Sequence, residues 1–343
     1  MQITQFYGID VSKETLDICL LIDNKLVEQW KIKNNKTSIR VFLRKLASKF
    51  PDHLAQYSVW CMEFTGVYGH ILIQLLVEAG FNVWVENPSQ IKLSQGIKRG
   101  KNDKIDALRI AQYASTFSHK FRAYVPKRSV LIQLKKLTNI RAKLQQTKVA
   151  IQKQIKEAKQ FLGKETSSLL TNSCRKSLKA LVVDIELIEN KMYDLIQSDP
   201  KLLNLFKIIT SVDGVGVHTA IAILVTTNEF ESFDCPKKYA CYAGVAPFEQ
   251  QSGTSVKSKA RVSQKANKEV KKLLHMAALT VLKIPGSEFA QYYHRKKEEG
   301  KNGMTIINAI RAKIISRVFA CVREQRYYEK SYNYPVQQRF LSS

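Results

Sequence analysis

The sequence has no apolar run approaching the ~18 residues that cross a bilayer, so no membrane span is expected. Its first residues lack the basic segment and long apolar stretch of a secretory signal. The six cysteines (Cys19, Cys61, Cys174, Cys235, Cys241, Cys321) are scattered, and no two form a C-x-x-C pair. Reduced thiols in a cytosolic protein, mostly filling core space, are the expectation. The six histidines are scattered too, which argues against a zinc site. Acidic residues are scarce: 29 Asp+Glu stand against 55 Lys+Arg, a formal charge of +26. Such an excess points to a polyanionic partner, nucleic acid ahead of an anionic membrane.

What is present suits a folded chain. Hydrophobic residues make up 45% of 343, enough for two domains with separate cores. Three β-rich runs open the sequence, from Phe6 to Val11, Thr15 to Ile22 and Lys25 to Ile32, with Asp23-Asn24 as a turn signal. An antiparallel meander follows from these. Thr37 to Phe50 is amphipathic, with Ile39, Phe42, Leu43 and Leu46 on one helical face. A strand from Tyr57 to Phe64, a helix from Val67 ending at Gly80 and a strand from Phe81 to Val85 come next. Asn87-Pro88-Ser89 breaks the chain, and a helix runs to about Phe117.

The predicted order is βββαβαβα, which matches a ribonuclease-H-like arrangement in which carboxylates on strands and a helix converge on two metal ions. Asp10 lies inside an otherwise apolar strand, where isolated charge is costly unless paired or metal-bound. Glu63 lies near the end of the fourth strand. Asp103 and Asp106 share a face at the start of the last helix. That pair has two readings: acids favoured by the helix dipole, or half of a divalent-metal site. Glu14 and Asp17 are read as surface charges.

From Val130 the pattern turns to long helices. Leu178, Leu181, Ile185, Ile188, Met192 and Leu195 step by three and four, and Gly163 to Ser173 is read as the turn before them. A helical hairpin results, either a coiled-coil arm pairing with another subunit or an intramolecular linker. Beyond it, Gly214-Val215-Gly216 is neither a dinucleotide fingerprint nor a Walker loop. It suits the turn of a helix-hairpin-helix, whose amides approach phosphate, or a plain packing joint. A polar stretch around Ser252-Gly253-Thr254-Ser255 leads into Lys257, Lys259, Arg261 and Lys265, and reads as a loop able to meet phosphate. Helices over Ala266 to Ile284, Phe289 to Lys297 and Thr305 to Tyr327 end the domain, with a loose tail beyond.

Five stretches in register resemble one family. They are Gly8-Ile9-Asp10-Val11-Ser12-Lys13, Met62-Glu63-Phe64-Thr65-Gly66-Val67-Tyr68, Lys101-Asn102-Asp103-Lys104-Ile105-Asp106-Ala107, the Gly214 turn, and Tyr242-Ala243-Gly244-Val245-Ala246-Pro247 with Ser252-Gly253. Together they are similar to the DEDD transposases of the insertion-sequence one-ten type, relatives of the Piv invertase. The resemblance implies a RuvC-like catalytic domain (1–125), a coiled-coil arm (126–200), a mainly helical transposase domain with the serine (201–328), and a tail (329–343). It implies an acidic tetrad of Asp10, Glu63, Asp103 and Asp106 binding two Mg²⁺ ions. It also implies a serine nucleophile at Ser252, with Ser255 as the other candidate. Gly214, Gly216, Lys257, Lys259, Arg261 and Lys265 are read from the turn and the basic stretch themselves as nucleic-acid contacts. The tetrad and the serine would then form one composite site. Donor and target DNA, a structured bridge RNA and a dimer or tetramer of this chain are the implied partners, in the nucleoid region of a bacterial cytoplasm. Two other readings stay open: a RuvC-like nuclease that only hydrolyses, and a non-catalytic nucleic-acid-binding protein.

Overall fold

The computed structural model describes residues 3–50, 55–64, 66–94, 103–246, 248–252, 256–261 and 266–330, the two stretches between 248 and 261 by their backbone. The chain divides into two compact units, Met1–Pro126 and Lys127–Ser343.

The first unit is built on a five-stranded sheet. Strands β1 (Gln5–Val11), β2 (Thr15–Ile22) and β3 (Lys25–Lys33) form the expected antiparallel meander. Asp23 and Asn24 both adopt left-handed conformations between β2 and β3, the geometry of a tight hairpin turn. Helix α1 (Lys36–Lys49) follows, its start fixed by the Asn35 side chain accepting from the Ser38 amide at 2.8 Å. Strand β4 (Ser58–Glu63) then lies parallel to β1, and after helix α2 (His70–Glu78) strand β5 (Asn82–Glu86) lies parallel to β4. The sheet order is β3-β2-β1-β4-β5. This is the ribonuclease-H-like mixed sheet expected from the sequence.

Alternation gives the sheet two apolar faces. Tyr7, Ile9, Trp60 and Met62 face α1 and α2, and the Tyr7 ring stacks on Trp60 with centroids 4.0 Å apart. Phe6, Cys19, Leu21 and Cys61 share the other core with Ile91 of the short helix α3 (Pro88–Ser94) and with Ala107, Ile110 and Ala111 of helix α4 (Asp103–Thr116). Helix α4 sits directly on β1 because Gly8 has no side chain. A Cβ there would run into the Ala107 carbonyl oxygen and the Ala111 nitrogen.

The second unit begins with two long helices, α5 (Ser129–Phe161) and α6 (Gly163–Gln197), packed as an antiparallel hairpin. The reversal corrects the sequence reading, which placed a turn over 163–173. Those residues are helical, and the chain turns at Leu162–Gly163, where Gly163 takes a φ of +86°. Arg141 pairs across the hairpin with Glu189, which also meets His218 at 3.2 Å. Within one chain the two helices pack on each other.

Leu131, Leu134, Ile188, Met192 and Ile196, near the open end of the hairpin, join the core of the remaining helices. Helix α7 (Pro200–Ser211) starts with Asp199 capping the Leu202 amide and Pro200 at its first position. Helix α8 (Val217–Thr227) is buried nearly all round from Thr219 onward, in keeping with its apolar run Ala220 to Val225. A short helix α9 (Pro236–Tyr242), which the sequence reading did not foresee, precedes a two-stranded antiparallel ribbon, β6 (Phe248–Ser252) and β7 (Val256–Arg261). That ribbon replaces the expected loop. Helices α10 (Lys268–Val281), α11 (Glu288–Glu298) and α12 (Gly303–Arg323) complete the unit.

Candidate active site

The acids of the first unit gather at one level of the sheet. Asp10 of β1 stands opposite Asp17 of β2, and Asp17 opposite Lys31 of β3. On the other side Ile9 pairs with Met62, which puts Asp10 level with Glu63, and Glu63 pairs with Glu86 of β5. Laterally paired residues project to the same face. Lys31, Asp17, Asp10, Glu63 and Glu86 therefore form a charged row on the α4 face, continuing the columns of Cys19 and Cys61. Because α4 rests on Gly8 through Ala107, its first turn carries Asp103 and Asp106 beside this row.

The row departs from the sequence reading at Asp17. That residue is not a surface charge: it is 2% exposed, and neither carboxylate oxygen has a hydrogen-bond partner. Its compensation is an ion pair with Lys31, whose Nζ lies 3.3 Å from Asp17 Oδ2 and 3.7 Å from Asp103 Oδ2. Asp17 first, then Asp103, holds the Lys31 ammonium above the ordinary lysine range. The signal was in the sequence, an acid inside the apolar strand Thr15–Ile22, the same argument that singled out Asp10. Lys31 and Glu86 carried no comparable signal.

Each remaining acid has a defined setting. Asp10 and Glu63 are half-buried, Asp103 is exposed, and Asp106 accepts a 2.9 Å hydrogen bond from Arg109. Glu86 is tied down by the Trp84 indole and the Tyr113 hydroxyl, both at 3.2 Å, and by the Asn87 amide at 2.7 Å. Burial first and Glu86 second push the Tyr113 phenol up to about 12. The Cys61 thiol beneath is raised by burial, then by Glu86 and Glu63.

Oxygen donors of this kind suit a hard divalent cation, and the two buried Asp17 oxygens without hydrogen bonds give the row spare acceptor capacity. Among the described residues, however, no three His, Cys, Asp or Glu close into a metal-holding group. Lys31 and Arg109 occupy Asp103 and Asp106 instead.

In the second unit Ser252 ends β6 and pairs with Val256 across the ribbon, while Lys257 and Arg261 are paired β7 positions and Lys259 lies between them. Ser255 and Lys265 lie outside the described residues. The turn at 212–216 divides the work of its glycines. Gly214 (φ +81°) packs against α10: a Cβ would come 2.6 Å from the Ala277 carbonyl oxygen and 2.7 Å from Val281 Cγ1. Gly216 faces open space. A cavity of about 500 Å³ lies against this turn, between it and Leu273, Met276, Ala277 and Thr280.

Among the described residues no helix is long and apolar enough to cross a membrane. Residues 7–161 match the transposase model of the DEDD type of IS110 elements, and residues 206–294 match the model of the IS116/IS110/IS902 family transposases. The pilin gene-inverting proteins of Moraxella lacunata and Moraxella bovis are each 26% identical over 329 residues, 95% of this chain and 98% of theirs. An insertion element IS110 protein of Streptomyces coelicolor is 30% identical over 168 residues, 49% of this chain and 40% of that one. Among solved structures, RuvC of Thermus thermophilus in complex with a Holliday junction substrate aligns over 35% of this chain and 98% of its own, at 15% identity and a TM-score of 0.27. The chain belongs to the IS116/IS110/IS902 family of transposases, enzymes that cut and transfer DNA strands.

Proposed function

We propose that the chain is the recombinase of an insertion sequence, in which the tetrad Asp10, Glu63, Asp103 and Asp106 binds Mg²⁺ and Ser252 is the nucleophile. The observation that carries this reading is the level alignment of Asp10 with Glu63 on adjacent parallel strands, with the first turn of α4 held beside them by Gly8. Bound there, two Mg²⁺ ions would withdraw charge from the attacking and leaving oxygens of a phosphodiester. Asp10 and Glu63 would hold them from the sheet, and Asp103 and Asp106 from the helix after exchanging Lys31 and Arg109 for metal.

Chemically, Ser252 Oγ attacks phosphorus and the bond to the 3′-oxygen breaks. The 3′-strand leaves as a hydroxyl with the serine proton, and a 5′-phosphoserine remains. Attack by the 3′-hydroxyl of a second strand forms a new phosphodiester and returns the proton to serine. No net bond energy is required, which suits exchange between donor and target DNA. A serine hydroxyl needs activation to attack, which metal held by the acidic tetrad would supply. Domains 1–125 and 201–328 carry the two halves of this chemistry, with 126–200 as the arm. A structured bridge RNA and assembly as a dimer or tetramer complete the proposal, and the +26 charge supports a polyanionic partner of either kind.

The test incubates purified protein with Mg²⁺, RNA transcribed from the flanking element, and paired donor and target DNA. Joined product, with a covalent DNA adduct that disappears in Ser252→Ala, is expected. Cleavage that persists in Ser252→Ala favours the hydrolytic nuclease instead. Full activity in Asp103→Ala or Asp106→Ala would overturn the acidic centre.

A further inference from the structure

The acidic row ends in a cation. Lys31 lies on β3, the edge strand of the sheet, and is the last member of the row. Its Nζ lies 3.3 Å from Asp17 Oδ2 and 3.7 Å from Asp103 Oδ2 on the first turn of α4. A second tie joins the same strand to the same turn. Gln29, two residues before Lys31 and on the same face, donates from Nε2 to the Lys104 carbonyl oxygen at 3.1 Å.

The two carboxylates hold Lys31 unequally. Asp17 is buried and fixed within the sheet, whereas Asp103 is exposed at a helix start. Among the described residues, Lys31 is the one cation within ion-pair distance of Asp17. Moving it away would strand a buried carboxylate. If Asp103 turns to a metal, Lys31 therefore stays on Asp17. The side of the ammonium that faced Asp103 is then free, on a side chain that is 50% exposed. A compact point charge with hydrogens to spare, beside acids of this kind, suits a phosphate oxygen. Folding alone does not call for the pair. An apolar residue at position 17 would continue the column of Cys19 and Leu21 on this face of β2, and replacing a buried ion pair by apolar packing is often neutral.

We infer that Lys31 is a substrate contact of the strand-cutting reaction, seating a backbone phosphate of the DNA that lies over the acidic row. Asp17 is the positioning residue that holds it there. The inference rests on the acidic tetrad as the reaction centre.

The experiment measures affinity of the full chain for the donor and target duplexes across a salt series, and cleavage in Mg²⁺. Ca²⁺, a cation of the same oxygen preference, replaces Mg²⁺ in the binding measurement. Lys31→Gln alone leaves Asp17 uncompensated, so Asp17→Asn/Lys31→Gln decides. It unfolds at the same denaturant concentration as the wild type, because the pair is removed whole. Its DNA affinity falls roughly tenfold, the worth of one hydrogen bond to a charged group, and the log–log salt slope falls by about 0.9. Asp17→Asn keeps the cation without its anchor, so affinity falls less and the slope is unchanged. Lys31→Arg retains binding. Circular dichroism confirms that each variant is folded. Wild-type affinity and slope in the double variant overturn the contact and leave the pair a folding element. A double variant that binds DNA as before and needs less Mg²⁺ for cleavage also overturns it, since that is the behaviour of a lysine that only competes with metal. Either result with cleavage still abolished by Asp103→Ala sinks the contact alone. Full cleavage in Asp103→Ala and Asp106→Ala, with weakened binding in the double variant, sinks the acidic centre alone.

Discussion

Asp17 in the sheet unit and Arg311 in the helical unit are both nearly fully buried charges, at 2% and 5% exposure. The sheet unit neutralises its charge from within: Lys31 reaches Asp17 and Asp103 together. The helical unit does not. Arg311 meets Asn308 Oδ1 at 3.5 Å and His275 Nδ1, and its Nε has no hydrogen-bond partner. Burial alone pulls the guanidinium below its usual range, and the neighbouring His275 imidazole is pushed down by burial and then by Arg311. Lys127 shows the same imbalance. The difference belongs to these residues and not to every charge of the units, since the helical unit offsets Glu229 with Arg128 and Glu288 with Arg317.

The contrast can be broken or sharpened by substitution. The largest effect is expected from Gly8→Ala. Its Cβ meets backbone atoms of α4, which cannot turn aside as a side chain can, so α4 must lift from β1. Overpacking of this kind costs about 3 kcal/mol. Chemical denaturation should show that loss, and DNA cleavage should fall with it because Asp103 and Asp106 move with the helix. A variant as stable and active as the wild type would remove the argument that Gly8 positions the acids.

Arg311→Met comes next. Replacing a buried cation that has no carboxylate with an apolar chain of similar length should be neutral, or stabilising by about 1 kcal/mol. A loss beyond about 2 kcal/mol in the same denaturation measurement would mean that Arg311 is compensated after all, and the two units would no longer differ.

The smallest effect is one of pH. His275 and His218 have folded pKa values below the ordinary 6.5, His218 through burial first and then Arg141, against the opposing pull of Glu189. The unfolded chain therefore binds protons first as pH falls. Their contribution to stability is complete above about pH 6.5 and declines below it, toward the folded pKa values. Thermal midpoints between pH 7.5 and 5.5 should fall in the wild type and fall less in His275→Gln. An identical slope in both would deny His275 that role.

The sheet was legible because its apolar residues alternate, and because Asp23-Asn24 and Gly80 supply the turn and the helix end that the backbone uses. Asp10 was legible as an acid in an apolar strand. Asp17 was equally visible and misread, because its compensation comes from Lys31, a cation on the next strand that only the register reveals. The ribbon at 248–261 was hidden by composition: Phe248 to Arg261 is polar at both alternate sets of positions, so period two leaves no trace. The reversal at Gly163 was hidden in the opposite way, since the polar residues after it resemble a loop and yet continue a helix. Arg311 looks like a solvent-facing residue within an apolar helix, and only the packing of α10 against α12 encloses it.

That reversal has a consequence for how the arm can vary. Helices of 33 and 35 residues joined through Leu162 and Gly163 make a rod about 50 Å long, the length of about 15 base pairs of duplex. With no loop to absorb slack, residues added to one helix have nothing to lie against. Growth must come as matched insertions in both, and each paired heptad carries the tip outward by about 10 Å. The arm is a yardstick graduated in whole turns.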